Sequence, residues 1–329
     1  MKHLFTAAAA VTVLALAFGT SGTAVAAETD PSVTWAVAPA TIDGPDGRAW
    51  VEHELDPGET VTEYVAVRNL GDTDAEFRLT AADGYFTDTG RFNMLPSDQP
   101  SKQAGTWIDV QPTAIVPAGE QSIIPFQIHV PENATPGDHA AGLAASVGST
   151  TTSAEGARVG VESRVGFRVL TRVNGELDPA LAITTTSTDY TYSWNPLDRG
   201  FMTVTYTAQN TGNVQLRYSD SLNGESTQDR GELLPGESRT ITLSRNAVWP
   251  TFLISSDLTL APTAEGIDGE LNPVTTSITT WAIPWPQIIV ILGTILVALG
   301  LVGSRRRSKA KLHRLLDDAR EAGRREAVS

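Results

Sequence analysis

Cysteine is absent from all 329 residues. That excludes disulfide frameworks, thiol nucleophiles and cysteine-held zinc, so the fold rests on apolar cores alone. Histidine is nearly as scarce. Only His53, His129 and His139 lie between the two hydrophobic ends of the chain. No pair of them has the i, i+4 spacing of a helical zinc site, and no serine sits in a Gly-x-Ser-x-Gly turn. Catalysis therefore has little to stand on, and no cofactor or metal is expected. Lysine is outnumbered by arginine 20 to 4, a weak sign of a GC-rich bacterial genome. Helical periodicity is missing from the long middle of the chain. No Leu-Pro-x-Thr-Gly sorting sequence precedes the last hydrophobic run, so covalent release from a membrane is not expected.

What is present is a hydrophobic segment at each end, with different flanks. The first follows Lys2 and His3, is apolar from Leu4 to Phe18, and closes on Ala24, Val25, Ala26 and Ala27. It reads as a secretory signal peptide over residues 1–27. The second covers residues 281–303 and is followed at once by Arg305, Arg306, Arg307, Lys309 and Lys311. At ~1.5 Å per residue it is long enough for a ~30 Å hydrocarbon layer, and basic residues stay on the cytoplasmic side. Trp281 and Trp285 stand where an interfacial aromatic belt belongs, with the basic cluster at the opposite boundary. The expected topology is a single-pass type I membrane protein. Residues 28–280 are extracellular, and residues 304–329 form a basic cytoplasmic tail touching inner-leaflet lipid. Within the tail, residues 309–325 could form a short amphipathic helix.

Charge divides along the same boundary. The tail carries nine basic and four acidic residues, whereas the exterior carries 14 basic and 34 acidic. An acidic exterior argues against nucleic acid and anionic lipid as its partners.

Within the exterior, short alternating apolar runs recur, for example at residues 61–67, 122–130, 164–173, 200–208 and 239–243. Gly, Pro, Asn and Asp punctuate them. This pattern predicts an all-β fold of antiparallel sandwiches. An internal repeat divides it in two. Pro57, Gly58 and Glu59 precede a strand that ends before the turn Asn69, Leu70, Gly71. In the second half a strand ends before Asn210, Thr211, Gly212, and Pro235, Gly236, Glu237 follow. Pro117, Ala118, Gly119 and Glu120 form a third such turn. Two immunoglobulin-like sandwiches are expected, at residues 28–175 and 176–280, with the Ser/Thr-rich residues 148–155 as an exposed hairpin loop of the first.

Candidate sites are few. His129 alternates with Gln127 on a strand face away from Phe126, Ile128 and Val130, and His139 follows a Pro-Gly-Asp turn, so structural roles suit both. Asp43 with Asp46, and Asp72 with Asp74 and Glu76, have the oxygen density of a calcium site but not its full loop spacing. Aromatics are the better lead for a sugar-binding surface. Trp35 and Trp107 sit in core patterns. Tyr85, Phe86 and Phe92 occupy a polar hairpin with Asp83, Asp88 and Arg91, where an exposed apolar patch would form a contact surface, and Trp50 is a further candidate. Tyr190, Tyr192 and Trp194 alternate on one strand face, which is either a core row, the simpler reading, or an adhesive stripe.

In order along the chain, Trp35 to Pro39, Pro57 to Asn69, and the hairpin Tyr85, Phe86, Gly90 are followed by Trp107, Ile108, Val110 and Pro112. Then come Ile124 to Pro131, Ala134, Pro136, Gly137, Asp138, His139 and Gly142. In this order they resemble the membrane-anchored WxL-interacting proteins of Gram-positive bacteria, over roughly residues 33–173. The resemblance implies a first domain that binds peptidoglycan and a second that engages an envelope surface protein or host ligand. It supplies no catalytic signature. The expected function is non-catalytic binding and adhesion in the envelope. The alternatives are a wall-active hydrolase and an envelope chaperone or transport accessory with an exposed edge strand.

Overall fold

The computed structural model describes residues 34–152, 158–267 and 269–326. The signal peptide lies outside the described residues. The first unit contains eleven strands: β1 (Trp35–Thr41), β2 (Gly44–Pro45), β3 (Val51–Leu55), β4 (Thr60–Asn69), β5 (Ala75–Phe86), β6 (Phe92–Met94), β7 (Ile108–Val110), β8 (Thr113–Val116), β9 (Gln121–His129), β10 (Gly137–Thr152) and β11 (Arg158–Val173). The second contains seven: β12 (Leu181–Thr191), β13 (Gly200–Asn210), β14 (Leu216–Leu222), β15 (Glu225–Leu233), β16 (Ser238–Val248), β17 (Phe252–Thr263) and β18 (Val274–Ala282).

Each unit is an immunoglobulin-like sandwich. In the first, a sheet ordered β2-β1-β4-β9-β7 faces one ordered β3-β11-β10-β5-β6, with β8 also on β5. In the second, β12-β13-β16 faces β15-β14-β17-β18. Strand alternation builds both cores. Along β13, Met202, Val204, Tyr206 and Ala208 point inward while Thr203, Thr205 and Thr207 lie on the outer face. Phe77, Phe126, Ile128 and Leu143 fill the first core, and Tyr206, Tyr218, Leu216 and Leu258 the second. Each such side chain contributes ~1.5–3 kcal/mol on burial, which is how a chain without disulfides holds two domains.

The internal repeat has a structural counterpart, in a register different from the one expected. Asn69 donates its backbone N–H to Glu120 O, and Asn210 donates its own to Glu237 O. The partner of the Pro235 turn is therefore the Pro117 turn, and Pro57 has no equivalent in that node. All three turns put glycine at a left-handed position, with φ of 84° at Gly58, 72° at Gly119 and 80° at Gly236. Each is closed by an i to i+3 hydrogen bond, as a type II turn requires.

Two further boundaries shift. Residues 148–152 continue β10, which pairs with β11 as far as Thr152 opposite Arg158. The rest of the Ser/Thr-rich segment expected as a loop, residues 153–155, lies outside the described residues. At the C-terminus one helix, α1 (Trp285–Glu326), runs through Arg305, Arg306 and Arg307 without a break. The basic tail is thus an extension of the hydrophobic helix and not a separate amphipathic one. Trp281 belongs to β18 and Trp285 opens α1, with only Ile283 and Pro284 between strand and helix. Among the described residues α1 is the one helix long and apolar enough to cross a membrane.

Candidate functional site

The two sandwiches meet through a dense set of contacts at the 174–180 connection. Asp138, buried at the start of β10, accepts Arg172 Nε at 2.6 Å and Nη2 at 2.9 Å, and Gln215 N of the second unit at 2.6 Å. Its own N–H reaches Asn213 O at 2.7 Å. Arg172 also donates to Glu265 O, and Arg168 to Glu232 Oε2 at 2.8 Å. Gly137, at φ 119°, passes so close to Asn213 that a Cβ there would collide with the Asn213 carbonyl. Beside these polar contacts Leu234 packs against Ala140, Leu170, Phe86 and Phe92.

That last cluster corrects one expectation. Phe86 and Phe92, read as an exposed patch, stack edge to face with centroids 5.8 Å apart and are half-buried by the second domain. Their hairpin is polar around them because its rim is wet, while the partner that covers the rings, Leu234, lies far along the chain. Trp50 is exposed on the flank of the first unit, with the Arg168 guanidinium 4.8 Å from its ring centroid and its indole N–H on Glu52. Tyr85 alone of the four lines a cleft between the domains. In the second unit, Tyr190 is half-buried and donates to Val248 O, but Trp194 lies beyond the end of β12 and is 71% exposed, so the expected core row is broken.

The cavity is a cleft of about 680 Å³ between the domains. Loops 131–136 and 102–107 of the first unit form one wall, and Gly212, Asn213, Leu234, Pro235 and Glu237 of the second form the other. Trp107, buried as expected, carries His139 on its face at 4.7 Å between centroids, and His139 Nε2 donates to Thr135 O at 2.8 Å. Tyr85 closes this aromatic side.

Every carboxylate lining the cleft is engaged in holding the fold. Asp83 accepts the backbone N–H groups of Lys102, Gln103 and Gly105, at 2.6, 3.0 and 2.7 Å. Asp138 is committed to Arg172 and Gln215. Glu237 accepts Phe86 N at 2.7 Å and Leu234 N at 2.9 Å, bridging the domains. Burial pushes the Glu237 carboxyl above the ordinary range, against the opposing pull of those two donors.

Two lining residues carried little signal beforehand. Lys102 is the sole lysine between residues 3 and 308, and it is exposed on the lip of the cleft. Glu237 is the last residue of a repeat turn, and only domain packing turns it into a bridge. His129, by contrast, sits on the outer strand face with its ring on Thr60 Oγ1. Two of the acidic groups hold local structure. Asp46 holds Arg48, and Asp74 caps the N–H of Ala118.

No family model and no curated protein matches this chain. Similar solved structures include the Class 5 fimbriae chaperone CfaA, at 12% identity and a TM-score of 0.37, covering 74% of this chain and 98% of that one. The E. coli chaperone DraB is 10% identical with a TM-score of 0.33, over 75% of this chain and 97% of its own. The Pseudomonas aeruginosa CupB2 chaperone is 12% identical with a TM-score of 0.30, over 72% and 99%.

Proposed function

We propose that this chain is a non-catalytic binding protein of the cell envelope, tethered by α1, that receives a protein partner in the cleft between its two sandwiches. It would be a relative of the WxL-interacting proteins it resembles. The observation that carries this reading is the interdomain cleft. Its two walls are locked together by the Asp138, Arg172 and Glu237 contacts, so the site is formed in advance and binding costs little ordering. Acid–base chemistry needs carboxylates free to exchange protons near a substrate. Asp83, Asp138 and Glu237 each have their oxygens engaged by fold-holding donors, which supports binding over hydrolysis.

A second reading, a wall glycan in the same cleft, is favoured by the aromatic side made of Tyr85, Trp107 and His139, since sugar faces stack on such rings. In the tethered orientation Arg305 to Arg307 lie on the cytoplasmic side and both sandwiches outside.

The cysteine-free chain allows a direct test. Lys102→Cys, labelled with a photoreactive benzophenone on intact cells, should cross-link one discrete envelope protein, and the same label at exposed Glu120→Cys should not. Co-sedimentation of the solubilised chain with purified sacculi, lost in Tyr85→Ala, would favour the glycan instead. Neither a cross-link nor sedimentation would overturn both readings.

A further inference from the structure

We infer that the helix-proximal end of the second sandwich is a bilayer-docking face, seated in the headgroup layer of the outer leaflet. This rests on α1 being the membrane span, and goes beyond it. The strand register gathers the face. Thr191 pairs with Phe201, Gly200 with Val248, and Phe252 with Ala282, so the 192–199 and 249–251 loops and the last residues of β18 share one end of the sandwich. Trp194, Leu197, Trp249, Phe252, Trp281 and Trp285 are all exposed there, Leu197 at 81% and Trp281 at 72%. Four of the seven tryptophans of the chain thus stand on one small surface, far more apolar than the exterior of a soluble domain sustains without a partner.

The occupant follows from chain continuity. β18 ends at Ala282 and α1 begins at Trp285, so at most ~11 Å of extended backbone separates the sandwich from the start of the helix. The headgroup region adds only ~5–8 Å on each side of the hydrocarbon core. With α1 inserted, this face has no means of leaving the interface. The loop is also fastened to the helix, because Gln287 Nε2 in the first turn of α1 donates to Pro196 O at 2.9 Å.

The chemistry suits an interface more than a hydrocarbon interior. Indoles mix with Asn195 and Asp198, and the Arg199 guanidinium lies 5.5 Å from the Trp249 ring centroid. The loop is built to present its apolar tip. Asn195 Oδ1 accepts the N–H of Leu197, and its Nδ2 bonds Asp198, which leaves the Leu197 side chain pointing out. Phe252 is held at φ 69° and Ala247 at φ 58°, left-handed conformations that non-glycine residues rarely adopt, and both flank this surface.

The test uses the full chain in nanodiscs of phosphatidylcholine and phosphatidylglycerol, with single cysteines carrying an NBD fluorophore. At Leu197→Cys, emission should shift to the blue on moving from detergent-free peptidisc to bilayer and be quenched at least twofold by lipids spin-labelled near the headgroup. At Glu120→Cys neither should occur. Leu296→Cys in α1 should be quenched by lipids labelled deep in the acyl chain. Quenching at Leu296 with none at Leu197 would overturn the docking face and leave the span intact. No quenching at Leu296 would overturn the span on which the inference rests. A Leu197 shift that rises with the number of chains per disc and is insensitive to lipid quencher would assign the face to a second copy, and overturn it equally.

Discussion

Asn69 and Asn210 occupy the same node of two successive sandwiches. Both are fully buried, and each side-chain amide donates to two main-chain carbonyls while its oxygen accepts the N–H of the glycine two residues on. For Asn69 the carbonyls belong to Thr73 and Val116, and for Asn210 to Val214 and Leu233. Each asparagine therefore ties its own turn to a distant strand end.

Replacing either asparagine by alanine strands two buried carbonyls and an amide. At ~1–3 kcal/mol for each of the three groups left unpaired, the expected loss is about 3–9 kcal/mol, toward the lower end because the glycine N–H is only partly buried, read as a lower urea midpoint with unchanged slope for the joint unfolding of both domains. A loss under ~1 kcal/mol would show that water replaces the amide.

The domains should unfold as one unit because Arg172 and Asp138 join them. Arg172→Met leaves the Asp138 carboxylate buried with only Gln215 N and no counter-charge, a change that costs about 3–5 kcal/mol where one partner of a buried pair is removed. Calorimetry of the wild type should give a single main transition, and of the variant two.

Acid should weaken the first sandwich through Glu63. Burial pushes its carboxyl up, but hydrogen bonds from Arg48 and His53 outweigh that and hold it below the ordinary range. A carboxyl whose pKa is depressed by folding stabilises above its unfolded value, ~4.3, and that stability is lost as pH falls through the folded value. The melting temperature should decline from pH 5 to pH 3, and Glu63→Gln should be lower at pH 7 with a flatter decline. Parallel curves for the two proteins would rule the residue out as a source of acid sensitivity.

For the cleft, Tyr85→Ala combined with Lys102→Glu should weaken the cross-linked partner about tenfold, equal to ~1.4 kcal/mol, while leaving the melting temperature within a degree or two. Trp50→Ala, on the flank, should leave binding unchanged.

The two sandwiches were legible in the chain because a period of two in residues such as those of β13 can only bury one face, and Asn-x-Gly and Pro-x-Glu turns mark where strands stop. What the asparagines do was not legible. A turn signal is local, whereas the carbonyls of Val116 and Leu233 arrive from strands paired much later. The burial of Phe86 and Phe92 is hidden in the sequence for the same reason, since a polar hairpin looks exposed until Leu234 is placed upon it. Alternation alone extends the Tyr190 row to Trp194, but β12 ends three residues before it. The cleft is assembled from five separated segments, and Lys102 entered it unannounced.

The two-residue join between β18 and α1 leaves no swivel. With the helix in a bilayer and the interdomain contacts rigid, the cleft lies about one β17 length from the lipid, twelve residues at ~3.3 Å or roughly 40 Å. The molecule is then a gauge of fixed stand-off: it samples ligands at one altitude in the envelope, and lengthening the join by a few glycines should blur that altitude without altering the cleft.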